Sequence, residues 1–315
     1  MNAGGEITSI RSPRVKAVRQ LARRSARQRT RLFLAEGPQA VREALGWPGE
    51  PGPHSQPGPP AEPGPHGQPG PPEAAGAGLV TELFVTAPAR SRHAELVAEA
   101  AGRGAVVHAV SGEVMAELAQ TTTPQGLLAV CRFVDVPLEQ LTAAAPRLVV
   151  LLANVRDPGN AGTVLRTADA AGADGVVFSD ASVDPYNSKC VRASAGSLFH
   201  LPVVVGSPLR QAAAALRRAG LRVLAADGSA GRELDDLEPD HGLAGPTAWL
   251  FGNEAWGLPG ELLALADETV AVPIYGRAES LNLAAAAAVC LYASARAHRR
   301  GRAGTSAARA DRCNR

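Results

Sequence analysis

Leu148–Ala168, LVVLLANVRDPGNAGTVLRTA, is the stretch on which the fold turns. Its apolar run is of strand length and meets the turn Asp157-Pro158-Gly159-Asn160, which opens a helix carrying Arg166. An unbroken apolar strand is what a parallel sheet covered on both faces requires. The same grammar recurs twice downstream. Ala248–Phe251 reads as a buried strand ending in the loop Gly252-Asn253-Glu254-Ala255-Trp256-Gly257. Thr269–Val272 reads as another strand, followed by the loop Pro273–Glu279 and then Ser280-Leu281-Asn282, which opens the alanine-rich run Leu283–Val289. Alone, that last segment is a helix N-cap before a strong helix former. With the other two it becomes a third junction delivering polar groups at a strand's carboxyl end, where open α/β sheets bind ligands.

Around these junctions the second half of the chain alternates. Strands are expected at about 148–153, 175–178, 202–205, 221–225, 247–251 and 269–272, and helices at about 160–171, 187–198, 208–219, 258–265 and 282–297. A mainly parallel sheet with helices on both faces follows, and base rates alone would make its topology an ordinary, unknotted one.

The first half reads as a smaller α/β sandwich. Ser12-Pro13 starts a helix, Leu32–Ala35 is a short strand, and Gly37–Leu45 turns back into helix. Order resumes with a strand at Glu82–Thr86 and a helix from about Ser91 to Ala101. A strand at Ala105–Val110, a helix at Ser111–Ala119 and a last strand at Gly126–Cys131 complete it. Between them, Glu50–Ala61 (EPGPHSQPGPPA) recurs as Glu62–Glu73 (EPGPHGQPGPPE) with two changes. More than half of residues 46–78 are Pro or Gly, so this insertion is expected to be disordered. The expected organisation is a first domain over 1–133 interrupted at 46–78, a linker at 134–146, a second domain at 147–298 and a basic disordered tail at 299–315.

Composition narrows the function classes. At 45% hydrophobic and 20% charged, the 315 residues can bury two ordinary cores. The net charge of +2 points to no partner, but its distribution does. Arg11, Arg14, Lys16, Arg23 and Arg24 belong to an acid-free basic run extending to Arg31, and such clusters suit phosphate backbones. With 4% aromatics, few side chains are available for stacking on bases. The four cysteines make no short paired spacing and the seven histidines are scattered, so neither a disulfide framework nor a metal site is expected. No apolar run approaches membrane-spanning length, and a cytoplasmic protein is expected.

The three junctions resemble, in order and spacing, the three motifs of the SpoU (TrmH-like) family of RNA ribose 2′-O-methyltransferases in the SPOUT superfamily. The resemblance covers roughly 147–298, and the first domain is similar to the L30e-like RNA-binding domain that precedes it in that family. Thr121–Gly126 looks like the loop before that domain's last strand. The resemblance implies a SPOUT α/β fold whose C-terminal end ties a deep trefoil knot, an obligate homodimer, and S-adenosylmethionine as methyl donor. No Gly-x-Gly-x-x-Gly follows either first strand and no Walker A sequence occurs, so the donor must be held in another way.

Carried over residue by residue, the motifs imply Leu250, Gly252, Val272, Ile274 and Leu281 as wall and backbone contacts to that donor. Gly252 has a physical reason, because close approach of a ligand leaves no room for a Cβ. Arg166 matches the family's essential arginine. A guanidinium stays protonated, so a clamp that positions the ribose hydroxyl and stabilises its developing charge suits it better than the role of base. Its place early in a helix, where the dipole disfavours a cation, also argues for function. Asn160 is expected to orient Arg166 or the ribose, Glu254 to hold the arginine or the loop, and Ser280 and Asn282 to secure the third turn and contact substrate or donor. Asn253 and Trp256 depart from the small or charged residues common in the second motif. Ribosomal RNA is the expected substrate. Transfer RNA, an antibiotic-resistance site in ribosomal RNA, and a non-catalytic RNA-binding role are the alternatives. A small-molecule α/β enzyme would leave the arginine-rich N-terminus unexplained.

Overall fold

The computed structural model of the protein describes residues 5–48, 78–237, 242–253 and 256–313, with 301–313 as backbone only. Most of the Pro/Gly insertion and Glu254 lie outside the described residues. The chain forms two compact units, one of residues 1–135 with 186–200, the other of 136–185 with 201–315.

The first unit is built on a four-stranded sheet. Its strands are β1 (Leu32–Glu36), β2 (Val80–Val85), β3 (Val106–Ala109) and β4 (Leu127–Arg132), in the order β1-β4-β2-β3. β4 is antiparallel to both neighbours and β2 is parallel to β3. Helices α1 (Pro13–Gln20), α2 (Arg24–Thr30), α3 (Pro38–Gly46), α4 (Ala87–Arg92), α5 (Ala94–Gly102) and α6 (Gly112–Leu118) cover it. The single helix expected from Ser91 to Ala101 is two, because His93 leaves helical geometry at φ −123°, ψ 41°. Val15 and Val18 of α1 pack with Val114, Met115 and Leu118 of α6 over Phe84 and Leu128.

Tyr186–His200, expected as helix 187–198 of the second domain, packs instead within this first unit. Its ring contacts give the reason. Tyr186 stacks on Phe133 at 3.7 Å and lies 4.8 Å from Phe33, while Phe199 stacks on Phe33 at 6.0 Å. Arg31, in left-handed conformation at φ 55°, caps α2, lies over the Phe133 ring at 4.4 Å and forks onto both Asp135 oxygens at 2.8 Å.

The second unit holds a six-stranded, wholly parallel sheet of β5 (Leu148–Leu152), β6 (Gly175–Ser179), β7 (Val203–Ser207), β8 (Arg222–Ala226), β9 (Thr247–Phe251) and β10 (Glu268–Val270). Their order is β10-β8-β9-β5-β6-β7. From β5 the chain steps outward through β6 to β7, then returns to the other side of β5 for β8 and β9. The reversal falls between β5 and β9, a switch point of the kind at whose carboxyl edge open α/β sheets bind ligands. β5, β6 and β9 are buried at every position, as their unbroken apolar runs require.

Helix α7 (Leu138–Ala143) occupies the segment expected as a linker. Leu141 is buried in the core of this unit, and a Cβ at Gly175 would come within 2.6 Å of it, so 136–146 belongs to the fold rather than joining two folds. Helix α8 (Pro158–Ala171) starts at Asp157, whose carboxylate accepts the Asn160 N–H at 2.8 Å, and ends at Gly172 with φ 75°. α9 (Ser188–Ala193) lies in the first unit, and α10 (Leu209–Arg218), α11 (Leu234–Leu237) and α12 (Gly260–Leu263) follow. α10 buries Leu209, Ala212, Ala213 and Leu216, one stripe at helical spacing. The last helix, α13, spans Leu283–Cys313, so the helix expected to stop at 297 continues through the segment expected as a disordered tail. Ala and Arg dominate that segment, and both favour helix. Trp249, fully buried in β9, donates its indole N–H to Ser294 of α13 at 2.9 Å and fixes the helix against the sheet.

Candidate active site

The loops leaving β5, β9 and β10 form the candidate site. Chain direction puts the ends of β5 and β9 side by side at the carboxyl edge. The first loop is held by buried hydroxyls. Ser179 Oγ accepts the Asn154 N–H at 3.0 Å, and Ser182 Oγ accepts the Val155 N–H at 3.2 Å while donating to the Leu152 carbonyl at 3.0 Å. Asn154 takes the left-handed conformation at φ 56°, which turns the chain from strand towards helix. Its carbonyl accepts the side-chain amide of Asn253 at 2.8 Å, tying the second loop to the first. In the sequence Asn253 stands out only as a departure from the family pattern. Its buried amide gives it a positioning role that no spacing announces.

The second loop closes on itself. Asn253 and Gly257 exchange backbone hydrogen bonds at 3.0 and 2.9 Å. A Cβ at Gly252 would lie 2.5 Å from the Gly257 carbonyl oxygen and 2.8 Å from Leu258 Cγ. Glycine is therefore required there by the loop's own closure, a reason different from ligand approach. Leu250 is 1% exposed and sits in the core with Leu258, so its side chain faces protein. Val272 is half-buried, whereas Ile274 and Leu281 are exposed on the loop after β10.

The third loop returns to the first. Asn282 accepts the Ala284 N–H at 2.8 Å, the N-cap its sequence position suggests, and it also donates its amide N–H to Asn160 Oδ1 at 3.1 Å. Both roles of this residue hold together. Ser280 is exposed two residues before it. Arg166 is exposed too, but it is the ninth of fourteen residues in α8, so the argument from an unfavourable dipole has no force. Six residues advance a helix by about 600°, which sets Asn160 and Arg166 on faces roughly 120° apart. The joined pair is Asn160 with Asn282.

Arg156 and Trp256 form a pair that sequence spacing does not assemble. The guanidinium carbon lies 5.2 Å from the Trp256 ring centroid, one residue on the first loop and the other on the second.

Of the basic run, Arg11, Lys16, Arg23 and Arg24 are exposed. Arg14 is not available in the same way, because its guanidinium pairs with the buried carboxylate of Glu82, which also accepts from His108 at 3.0 Å. Arg27 is buried and donates to the Leu21 and Ala22 carbonyls at 2.9 Å, a structural use of an arginine that by sequence belongs to a phosphate patch. Among the described residues, no group of three or more His, Cys, Asp or Glu could hold a metal ion, and no helix is long and apolar enough to cross a membrane.

Known proteins share this chain's sequence and fold. Residues 147–292 match the SpoU rRNA methylase family, 73–137 match a domain described as RNA 2′-O ribose methyltransferase substrate binding, and 12–49 match an MRM3-like substrate binding domain. The chain is 32% identical over 287 residues to the 23S rRNA (guanosine(2553)-2′-O)-methyltransferase RlmP of Bacillus subtilis, covering 91% of this chain and 98% of that one. Among solved structures it resembles the AdoMet-bound rRNA methyltransferase of Sinorhizobium meliloti, with a TM-score of 0.73 and 30% identity over 93% of this chain and 97% of that one. It also resembles the SpoU methyltransferase AviRb of Streptomyces viridochromogenes in complex with AdoMet, with a TM-score of 0.69 and 28% identity over 90% and 97% of the two chains.

Proposed function

This chain belongs to the SpoU rRNA methylase family, and from that premise we propose that it methylates a ribose 2′-hydroxyl of ribosomal RNA, with S-adenosylmethionine as donor, as a homodimer. The observation that carries the site assignment is the Asn282–Asn160 hydrogen bond, which joins the third loop to the start of α8 beside the switch point.

When bound, S-adenosylmethionine supplies a methyl group already activated by its sulfonium. The protein's task is then alignment, removal of a hydroxyl proton and stabilisation of charge on the 2′-oxygen. Arg166 is permanently cationic and exposed on α8, so it suits the clamp that positions this oxygen rather than the base that deprotonates it. Asn160 and Asn282 hold the two loops at fixed separation. Ser280, exposed on the third loop, is a candidate contact to substrate or donor, and Glu254 is proposed from its motif position to hold the second loop or the arginine. For the donor, the loops after β9 and β10 fit in kind. Ile274 and Leu281 offer exposed apolar surface beside the tight loop at Gly252. Leu250 would contribute only from beneath.

The dimer is supported by α13. Ala285, Val289 and Tyr292 recur at helical spacing on its exposed face, with Val289 43% and Tyr292 46% accessible. An apolar line of this kind on a surface helix fits a second copy of the same helix. Val289→Glu combined with Tyr292→Glu is expected to halve the mass measured in solution.

The decisive experiment transfers labelled methyl from S-adenosylmethionine to ribosomal RNA with the wild type and with Arg166→Ala. Label resistant to alkaline cleavage at one ribose, lost in the variant, is the expected result. No binding of S-adenosylmethionine at all would overturn this reading and leave a non-catalytic RNA-binding protein.

A further inference from the structure

Trp256 is 59% exposed in a chain with twelve aromatic residues of its three types (Trp 3, Tyr 3, Phe 6), whereas Trp249 is fully buried. Leaving an indole in water forgoes the burial that normally offsets the cost of ordering so large a side chain. The ring also has a cation beside it, Arg156, at 5.2 Å. The two residues come from adjacent loops, after β5 and after β9, at the edge where Asn160 and Asn282 meet. Gly252 and the Asn253–Gly257 closure hold the loop that carries Trp256, and Asn253 ties it to the loop that carries Arg156. An exposed indole and an exposed guanidinium, set on two mutually anchored loops, present flat π surface and positive charge together.

RNA recognition uses this chemistry. Single-stranded nucleotides are held by stacking their bases on aromatic rings or guanidinium planes while cationic groups meet the phosphates. We propose that Arg156 and Trp256 form the platform on which a base of the RNA substrate stacks, at or next to the methylated nucleotide. Stacking reads a π face and not an edge, so the platform positions the nucleotide without choosing its identity. The proposal rests on the methyltransferase reading above and deepens it.

The test uses the full-length protein, 23S ribosomal RNA and labelled S-adenosylmethionine, with Trp256→Ala, Trp256→Phe and Arg156→Ala. Trp256→Ala is expected to raise KM for RNA about five- to a hundredfold, the range for losing one base–aromatic stack. Trp256→Phe should recover most of that loss, and donor affinity and solution mass should stay at wild-type values. RNA added with S-adenosylhomocysteine should quench indole fluorescence in the wild type and not in Trp256→Phe, a readout independent of turnover. An unchanged KM with undiminished quenching in Trp256→Phe overturns the platform. A rise confined to the KM for donor would make the ring part of the donor pocket, and a change in solution mass would make it a contact between copies; either also overturns the proposal. Failure of the wild type to methylate any RNA would instead overturn the parent reading, and the fluorescence result would still decide this one.

Discussion

Asn282 donates its side-chain amide to Asn160 Oδ1 at 3.1 Å, joining the cap of the last helix to the first turn of α8 across 122 positions of sequence. The same side chain accepts the Ala284 N–H through its oxygen. One residue therefore starts a helix and fixes a distance within the site, and its two halves can be separated by substitution. Asn282→Asp keeps the acceptor for Ala284 and adds a negative charge at a helix N-terminus, where it is favourable. It cannot donate to Asn160. Thermal stability is expected to stay within about 0.5 kcal/mol of wild type, while methyl transfer falls by at least tenfold. Asn282→Ala should lose the cap as well, at a cost of about 1 kcal/mol. Equal activity in Asn282→Asp and wild type would remove the Asn160 hydrogen bond from the site.

Gly252→Ala should act on the site by deforming its second loop. The added Cβ would meet the Gly257 carbonyl at 2.5 Å, and backbone cannot swing away as a side-chain end can. Overpacking of this kind costs about 1–3 kcal/mol. Because Asn253 is tied into both loops, the shift should also reach Asn154. Calorimetric titration with S-adenosylmethionine is expected to show affinity lowered at least tenfold, together with a lower melting temperature. A loss of affinity with no change in melting would favour ligand approach, rather than loop closure, as the reason for glycine here.

Much of this architecture is legible in the sequence because each element answers to a local rule. The apolar runs at Leu148–Leu152 and Thr247–Phe251 have the length of strands buried on both faces, and Asp157-Pro158 and Asn282 carry their own helix starts. What escapes depends on long-range packing. Nothing in the spacing of Tyr186 and Phe199 says that they will pack with Phe33 and Phe133 of the first unit. Leu141 reads as linker until Gly175 opens a seat for it. Arg14 and Arg27 carry the same charge as Arg23 and Arg24, and only the buried Glu82 and the free ends of two backbone carbonyls distinguish their uses. Leu250 matches its motif position, yet its side chain belongs to the core.

The arginines of the first unit can be sorted experimentally on that basis. Arg23→Ala with Arg24→Ala should weaken RNA binding and reduce the slope of log K against log salt by about 0.7–0.9 for each phosphate no longer neutralised, leaving stability unchanged. Arg14→Ala should do the reverse. It strips a cation from the carboxylate of buried Glu82, with His108 left beside it, and a cost of about 1–3 kcal/mol is expected. Filter binding over a salt series, paired with urea denaturation of each variant, separates the two. A lowered salt slope in Arg14→Ala at full stability would return that residue to the RNA surface.

Tyr186 gives the fold a dependence on alkaline pH. Its hydroxyl donates to Asp135 at 2.8 Å and accepts the Val134 N–H at 2.9 Å within the first unit. Burial, followed by the neighbouring Asp135 charge, holds its pKa well above the ordinary value. Above about pH 10 the unfolded chain releases this proton while the folded chain keeps it. The folded state then binds more protons, so stability falls as pH rises, by about 1.4 kcal/mol per pH unit for this one group. Burial also raises the thiols of Cys131 and Cys290, the latter to about 12, and they act in the same direction from a lower starting pH. Their contribution is common to wild type and Tyr186→Phe and cancels in the difference. Tyr186→Phe should be less stable than wild type by about 1–2 kcal/mol at pH 8, because both hydrogen bonds of the hydroxyl are gone. Between pH 10 and 11 that gap should close by about 1 kcal/mol. Urea midpoints at pH 8, 10 and 11 measure it, and a gap that stays constant would mean that the hydroxyl ionises in the folded protein as readily as in the unfolded chain.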